Sequence, residues 1–178
     1  MRSEANSFES LKIVTFATLA AISYGILHDQ VTAHVCVEYF TIAHPPIFPT
    51  TSPFLLAIGW GIIATWWVGL PLGIGLALAA RVGQTRRLTL AELRRPIIKL
   101  MLFSACCALL AGATGAALEA RNGNGPGFWV EVIPREKWVA FSFDMWAHGT
   151  SYAAGLAGGL FLIGHTVWRR WRPKVDAE

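Results

Sequence analysis

Between His28 and His44 the chain reads HDQVTAHVCVEYFTIAH, placing three His, one Asp and one Glu in a stretch free of Lys and Arg. Neutral imidazoles and carboxylates are the ligand set for zinc, iron or manganese. The same groups pass protons or cations along a polar path through a membrane. On a helix His34 and Glu38 stand four residues apart and share a face; on a strand Thr32, His34, Cys36 and Glu38 do so by alternation. Either geometry pairs His34 with Glu38. A second group lies far along the chain, where Asp144 and His148 repeat the four-residue spacing and Tyr152 follows one turn later. With Glu119 this makes a candidate ligand set of His28, Asp29, His34, Glu38, His44, Glu119, Asp144 and His148, with Tyr152 beside it.

Each of these residues also has a plainer reading. A His at a membrane boundary bonds headgroups, and His165, at the opposite end from the others, belongs to that class. Asp144 can cap the first turn of a helix, where the dipole favours a carboxylate. Glu119 closes a helix at its disfavoured C-terminal end and calls for a partner such as Arg121. No H-E-x-x-H, paired C-x-x-C, P-loop, dinucleotide-binding glycine fingerprint or G-x-S-x-G elbow is present, so no reaction is named by a motif.

The elements that must position these groups are membrane helices. The chain has 178 residues, 54% of them hydrophobic and 15% charged, with a mean hydropathy of +0.46; soluble domains carry roughly a half and a quarter. Four segments, at about residues 11–28, 54–80, 97–119 and 138–168, can cross a hydrocarbon core of about 30 Å at 1.5 Å per residue. The expected fold is therefore one all-α domain over residues 1–178, a bundle of four transmembrane helices. Pro71, between Gly69 and Gly73, is expected to kink the second span. After Asp29 the β-branched residues Val31, Thr32, Val35, Val37, Thr41 and Ile42, and the His44-Pro45-Pro46 stop, favour irregular or extended backbone folded over the bundle mouth.

Charge sets the orientation. Arg2 and Lys12, then Arg81, Arg86, Arg87, Arg94, Arg95 and Lys99, then Arg169, Arg170, Arg172 and Lys174 fall on one side; only Arg121, Arg135 and Lys137 fall on the other. The positive-inside rule puts both termini and the second loop in the cytoplasm, and the candidate ligands at the periplasmic end. Glu4 and Glu9, with no A-x-A site, argue that the first span is retained and is not a cleaved leader. The net charge of +4 flanks apolar segments and makes no basic and aromatic face for nucleic acid. Cys36, Cys106 and Cys107 read as small hydrophobes. Trp129, Trp138, Trp146, Trp168 and Trp171 read as interfacial anchors, and Trp66 and Trp67 as packing. Gly155 and Gly159, within the Gly/Ala-rich fourth span, offer a close-approach surface for a second copy or a membrane partner.

The stretch YGILHDQVTAHVCVEYFTIAHPPIF, Tyr24 to Phe48, and AHGTSY in the fourth span resemble a family of uncharacterised bacterial inner-membrane proteins with four transmembrane helices. The resemblance implies a multi-pass protein of the bacterial inner membrane with this layout and carries over no activity. It also implies a basic residue at the position of His34, which moves the weight of the ligand set to His28, Asp29 and Glu38. The function expected from all this is a metal-binding membrane protein holding a divalent ion, and a metal-dependent enzyme in its strongest form. An ion or proton relay, or a structural subunit with no site, are the alternatives.

Overall fold

The computed structural model describes residues 2–83 and 85–171, and side chains from Ser7 onward. Its first helix, α1, runs from Arg2 to Val35, well past the expected end near residue 28. A one-residue break at Cys36 (φ −147°, ψ 91°) leads into α2, Val37–Thr41. The β-branched residues after Asp29 therefore do not leave the helix. Their propensity penalty is a few tenths of a kcal/mol each, whereas Thr32, Ala33 and Cys36 each gain burial on the bundle side. A helix also satisfies every backbone group where water is scarce.

The second span is divided into α3, Pro53–Ile63, and α4, Trp66–Arg81. The break lies at Ala64 and Thr65, not at Pro71, which sits inside a continuous α4. Pro71 removes one ladder bond. At the break, the freed carbonyl of Ala64 accepts from the Tyr152 hydroxyl at 3.2 Å, and the Thr65 hydroxyl bonds the Gly61 carbonyl. α1 lies against this divided span through glycine: a Cβ on Gly61 would stand 2.6 Å from the Ile26 backbone, so only glycine permits that approach.

α5, Leu90–Asn122, opens with the Thr89 amide bonded to Glu92 at 3.1 Å and closes on Gly123 at φ +61°. Two short 3₁₀ turns, Gly127–Trp129 and Arg135–Lys137, connect it to α6, Trp138–Trp171. α5 packs along α6 and α1 packs along α3 and α4; contacts of α4 with α6 and of α1 with α5 join the two pairs. One core, of Ile13, Leu76, Ala80, Leu88, Leu93 and Ile97, sits toward the termini, at what is here called the basic end. Two smaller cores, around Phe40 and Leu56 and around Cys36 and Phe141, sit at the opposite end.

Among the described residues, three segments are long and apolar enough to cross a membrane: Ser7–Val35, Pro53–Arg81 and Leu90–Asn122. α6 has 34 residues and is not among them; Asp144, His148 and the arginines of its last turn lie within it. Large apolar side chains face outward on every long helix, including Leu27, Leu78, Leu110 and Phe161. Trp66 and Trp67 are among them, 47% and 55% exposed, and so do not serve as core packing. Of the basic residues counted for orientation, Arg172 and Lys174 and the side chain of Arg2 lie outside the described residues.

Candidate metal centre

Because α1 continues as a helix through Asp29, His28 and Asp29 project from its inner side toward α6 two turns before it ends. His148 reaches them from the third turn of α6. Its Nε2 lies 3.3 Å from Asp29 Oδ1, and the two side chains are buried. The His28 ring stands edge-on to it with centroids 4.6 Å apart. Ligand atoms of His28, Asp29 and His148 all fall within 4.8 Å of one another, a group capable of holding a metal ion.

The protons decide what this group can do. His148 Nδ1 lies 2.8 Å from the Asp144 carbonyl; a carbonyl only accepts, so Nδ1 carries the hydrogen and the neutral ring presents its Nε2 lone pair to Asp29. Two acceptors face each other there, and a cation is needed to hold them, either a proton or a metal ion. The third member favours a metal, since His28 Nε2 is enclosed and has no hydrogen-bond partner among the described residues. Geometry agrees. Two donors at about 2.0–2.1 Å from a tetrahedral ion stand about 3.3–3.4 Å apart, which is the separation of His148 and Asp29. The bond from Nδ1 to a backbone carbonyl is the outer support that metal-bound imidazoles usually have.

An aromatic layer from α2 and the following loop covers the group. Tyr39 stacks on His148 with centroids 4.4 Å apart, Phe40 meets the same ring at 5.6 Å, and His44 lies between Tyr39 and Trp60. Burial raises the Tyr39 phenol above its ordinary range, so it stays neutral. Burial also lowers the His44 imidazole, opposed in part by its bond to the Tyr39 carbonyl. The Cys36 thiol, free and buried beneath this layer, is pushed up to about 12, mainly by desolvation, and is unreactive as a nucleophile.

The remaining sequence candidates are placed elsewhere. His34 is exposed, with Nδ1 bonded to the Gln30 carbonyl at 2.7 Å. Glu38 does not pair with His34, because the break at Cys36 turns α2 away from the face of α1. It meets Lys137 Nζ at 3.0 Å instead. Burial raises the Glu38 pKa, but its bonds to Lys137, to its own backbone amide and to Cys36 together outweigh this and hold it low. His44 belongs to the aromatic cover. Glu119 finds its partner in the Gly125 amide at 2.9 Å, not in Arg121, and clamps the loop after α5. Asp144 is too far into α6 to cap it; it is fully buried, and neither carboxylate oxygen has a partner among the described residues.

Sequence reading missed Tyr39, whose position beside Glu38 carries no ligand signal, and the Tyr24 hydroxyl, which bonds Ser151 at 2.7 Å next to the cluster. Beneath the cluster a cavity of about 100 Å³ extends inward past Thr65 and Ser104. No family model, curated protein or solved structure matches the chain.

Proposed function

We propose that this protein crosses the bacterial inner membrane four times, with α6 as the fourth span and both termini in the cytoplasm, and holds a divalent metal ion between His28, Asp29 and His148 near the periplasmic surface. The single observation that carries the metal reading is the convergence of three ligand atoms, one of them, His148 Nε2, left free to bind by the bond that Nδ1 makes to the Asp144 carbonyl. α6 supports the fourth span by its length and by packing against α5. The charge asymmetry supports the orientation. Two imidazoles and one carboxylate are the donor set of non-haem iron sites and of hydrolytic zinc sites. Three protein donors leave a position open, which distinguishes a site of chemistry from a closed structural site. In such a site the ion would activate water or dioxygen beside the cavity.

A relay is less well supported. It requires a polar file through the membrane, but below Ser104 the cavity is walled by Leu72, Leu76, Ile97 and Leu162. Elemental analysis of detergent-purified protein tests the proposal. About one zinc, iron or manganese ion per chain, lost in His148→Ala and retained in His34→Ala, is expected. Equal metal content in all three proteins would leave a structural subunit as the better account.

A further inference from the structure

On the water-facing side the cluster is closed. Tyr39 stacks directly on His148, and Phe40, only 2% exposed, sits behind it. His44 and Trp60 extend the cover, with ring centroids 4.6 Å apart. The lateral side is different. Between α1 and the α5–α6 pair lies a cleft of about 330 Å³, walled by Leu27, Val31, Ile98, Leu102, Leu109 and Phe143. Leu27 and Leu102 at its rim are 68% and 62% exposed, on two of the segments apolar enough to cross a membrane. This cleft and the cavity beneath the cluster share Tyr24, His28 and Met101 as lining residues. His28 is thus at once a member of the cluster and part of the wall of a cleft facing lipid.

We propose that the cluster is entered sideways from the bilayer, and that its substrate is a membrane-resident lipid whose apolar chain lies in the α1–α5 cleft while a hydrogen-bonding group reaches His28. The inference rests on the metal reading for where the chain must end, but the route is defined by the walls alone. A small water-soluble substrate would have to pass the aromatic cover. A lipid is already at the cleft, because the rim residues face hydrocarbon, and hydrocarbon walls neither attract nor solvate a polar molecule. Besides His28 Nε2, the cavity wall holds a second polar group with no partner among the described residues. Ser104 is fully exposed to none of the solvent, at 0%, and its hydroxyl has no partner among the described residues. A buried hydroxyl without a partner is costly, and an ester, hydroxyl or carbonyl oxygen on an incoming lipid would satisfy it.

The test uses full-length protein in phosphatidylcholine vesicles doped with a phospholipid carrying a photoreactive diazirine on its acyl chain. Expected is labelling of Met101 and Ser104, on the cavity wall, within about tenfold of that on Leu110, which is 70% exposed and serves as the lipid-facing control. Ala105→Trp, which fills the cleft, should lower the internal labelling at least about fivefold and leave Leu110 unchanged; Leu109→Trp serves if that variant does not fold. Absence of internal labelling, or labelling indifferent to both plugs, overturns the lateral route. Metal content measured on the same samples separates the two readings. Metal retained without internal labelling sinks this inference alone, and internal labelling without metal supports the route and sinks the metal site alone.

Discussion

At the basic end of the bundle Arg170, 7% exposed, donates to the carbonyls of Ala79, Val82 and Arg86, Glu9 accepts the Leu90 amide, and Glu92 caps Thr89 and pairs with Arg86. At the other end His28 Nε2 and both oxygens of Asp144 have no partner among the described residues, and His148 Nε2 and Asp29 Oδ1 meet only each other at 3.3 Å. Arg81 Nε is the exception at the basic end, on a side chain that also bonds Leu88. Both ends thus bury charge-bearing residues, but only one largely satisfies them. A buried polar group without a partner costs about 1–3 kcal/mol. Retaining several in one place is expected where a ligand supplies the missing bonds.

The contrast is most easily broken at the cluster. His148→Ala and His28→Ala should each remove the metal almost completely, since two remaining donors do not hold an ion against water; elemental analysis and metal titration check this. His34→Ala and His44→Ala should retain it, and equal loss from His34→Ala would show that the ion, if bound, lies elsewhere. At the basic end the expected loss is of stability, not of ligand. Arg170→Ala leaves three carbonyls unpaired and should destabilise the fold by about 2–4 kcal/mol, seen as a lower thermal midpoint with metal content unchanged. Arg170→Lys should recover only part, because an ammonium cannot reproduce the guanidinium fork. An unshifted midpoint would mean that the clamp is dispensable.

Asp144 sharpens the comparison. Asp144→Asn should change the stability of the metal-free protein by no more than about 1 kcal/mol, since one unpartnered buried polar group replaces another of the same size. Larger destabilisation in a denaturation series would show that the carboxylate has a bonding role. A smaller effect depends on pH. Burial holds the His44 imidazole below its ordinary value of 6.5, so the unfolded chain takes up the proton first as pH falls. The stability due to neutral His44 is therefore complete above 6.5 and declines as pH drops from there toward the folded pKa. The thermal midpoint of the native protein should fall more steeply below neutrality than that of His44→Gln, and parallel curves would refute the assignment. Least of all should come from Glu38→Gln. Its partner Lys137 is half-exposed, and such surface pairs add little to stability. An unchanged midpoint and metal content are expected, and lost metal would return Glu38 to the ligand set.

Much of the architecture was legible because hydropathy and helix-breaking residues act locally. The segments at residues 11–28, 54–80 and 97–119 lie inside the observed helices, and α6 spans 138–168. One local expectation failed where tertiary contacts outweighed propensity, and one break had no local signal. The β-branched run after Asp29 stays helical because its inner face is buried. The second span breaks at Ala64, where Tyr152 from another helix bonds the freed carbonyl, and not at Pro71, which costs one bond in an otherwise continuous helix.

For the candidate site, residue type and topological level were enough to bring His28, Asp29 and His148 into consideration, since hydrophobic spans and helix order place residues at a common height in a bundle. They could not decide which groups meet. His148 and Asp29 are 119 residues apart and touch because of how α1 and α6 are rotated about their axes. Glu38, ten residues from His28, is turned to Lys137 by the single extended residue Cys36. Helix rotation and the direction of the chain after a break are fixed by packing between elements, through close approaches such as Gly25 on Gly61. That information is distributed over the whole bundle and is absent from any local pattern.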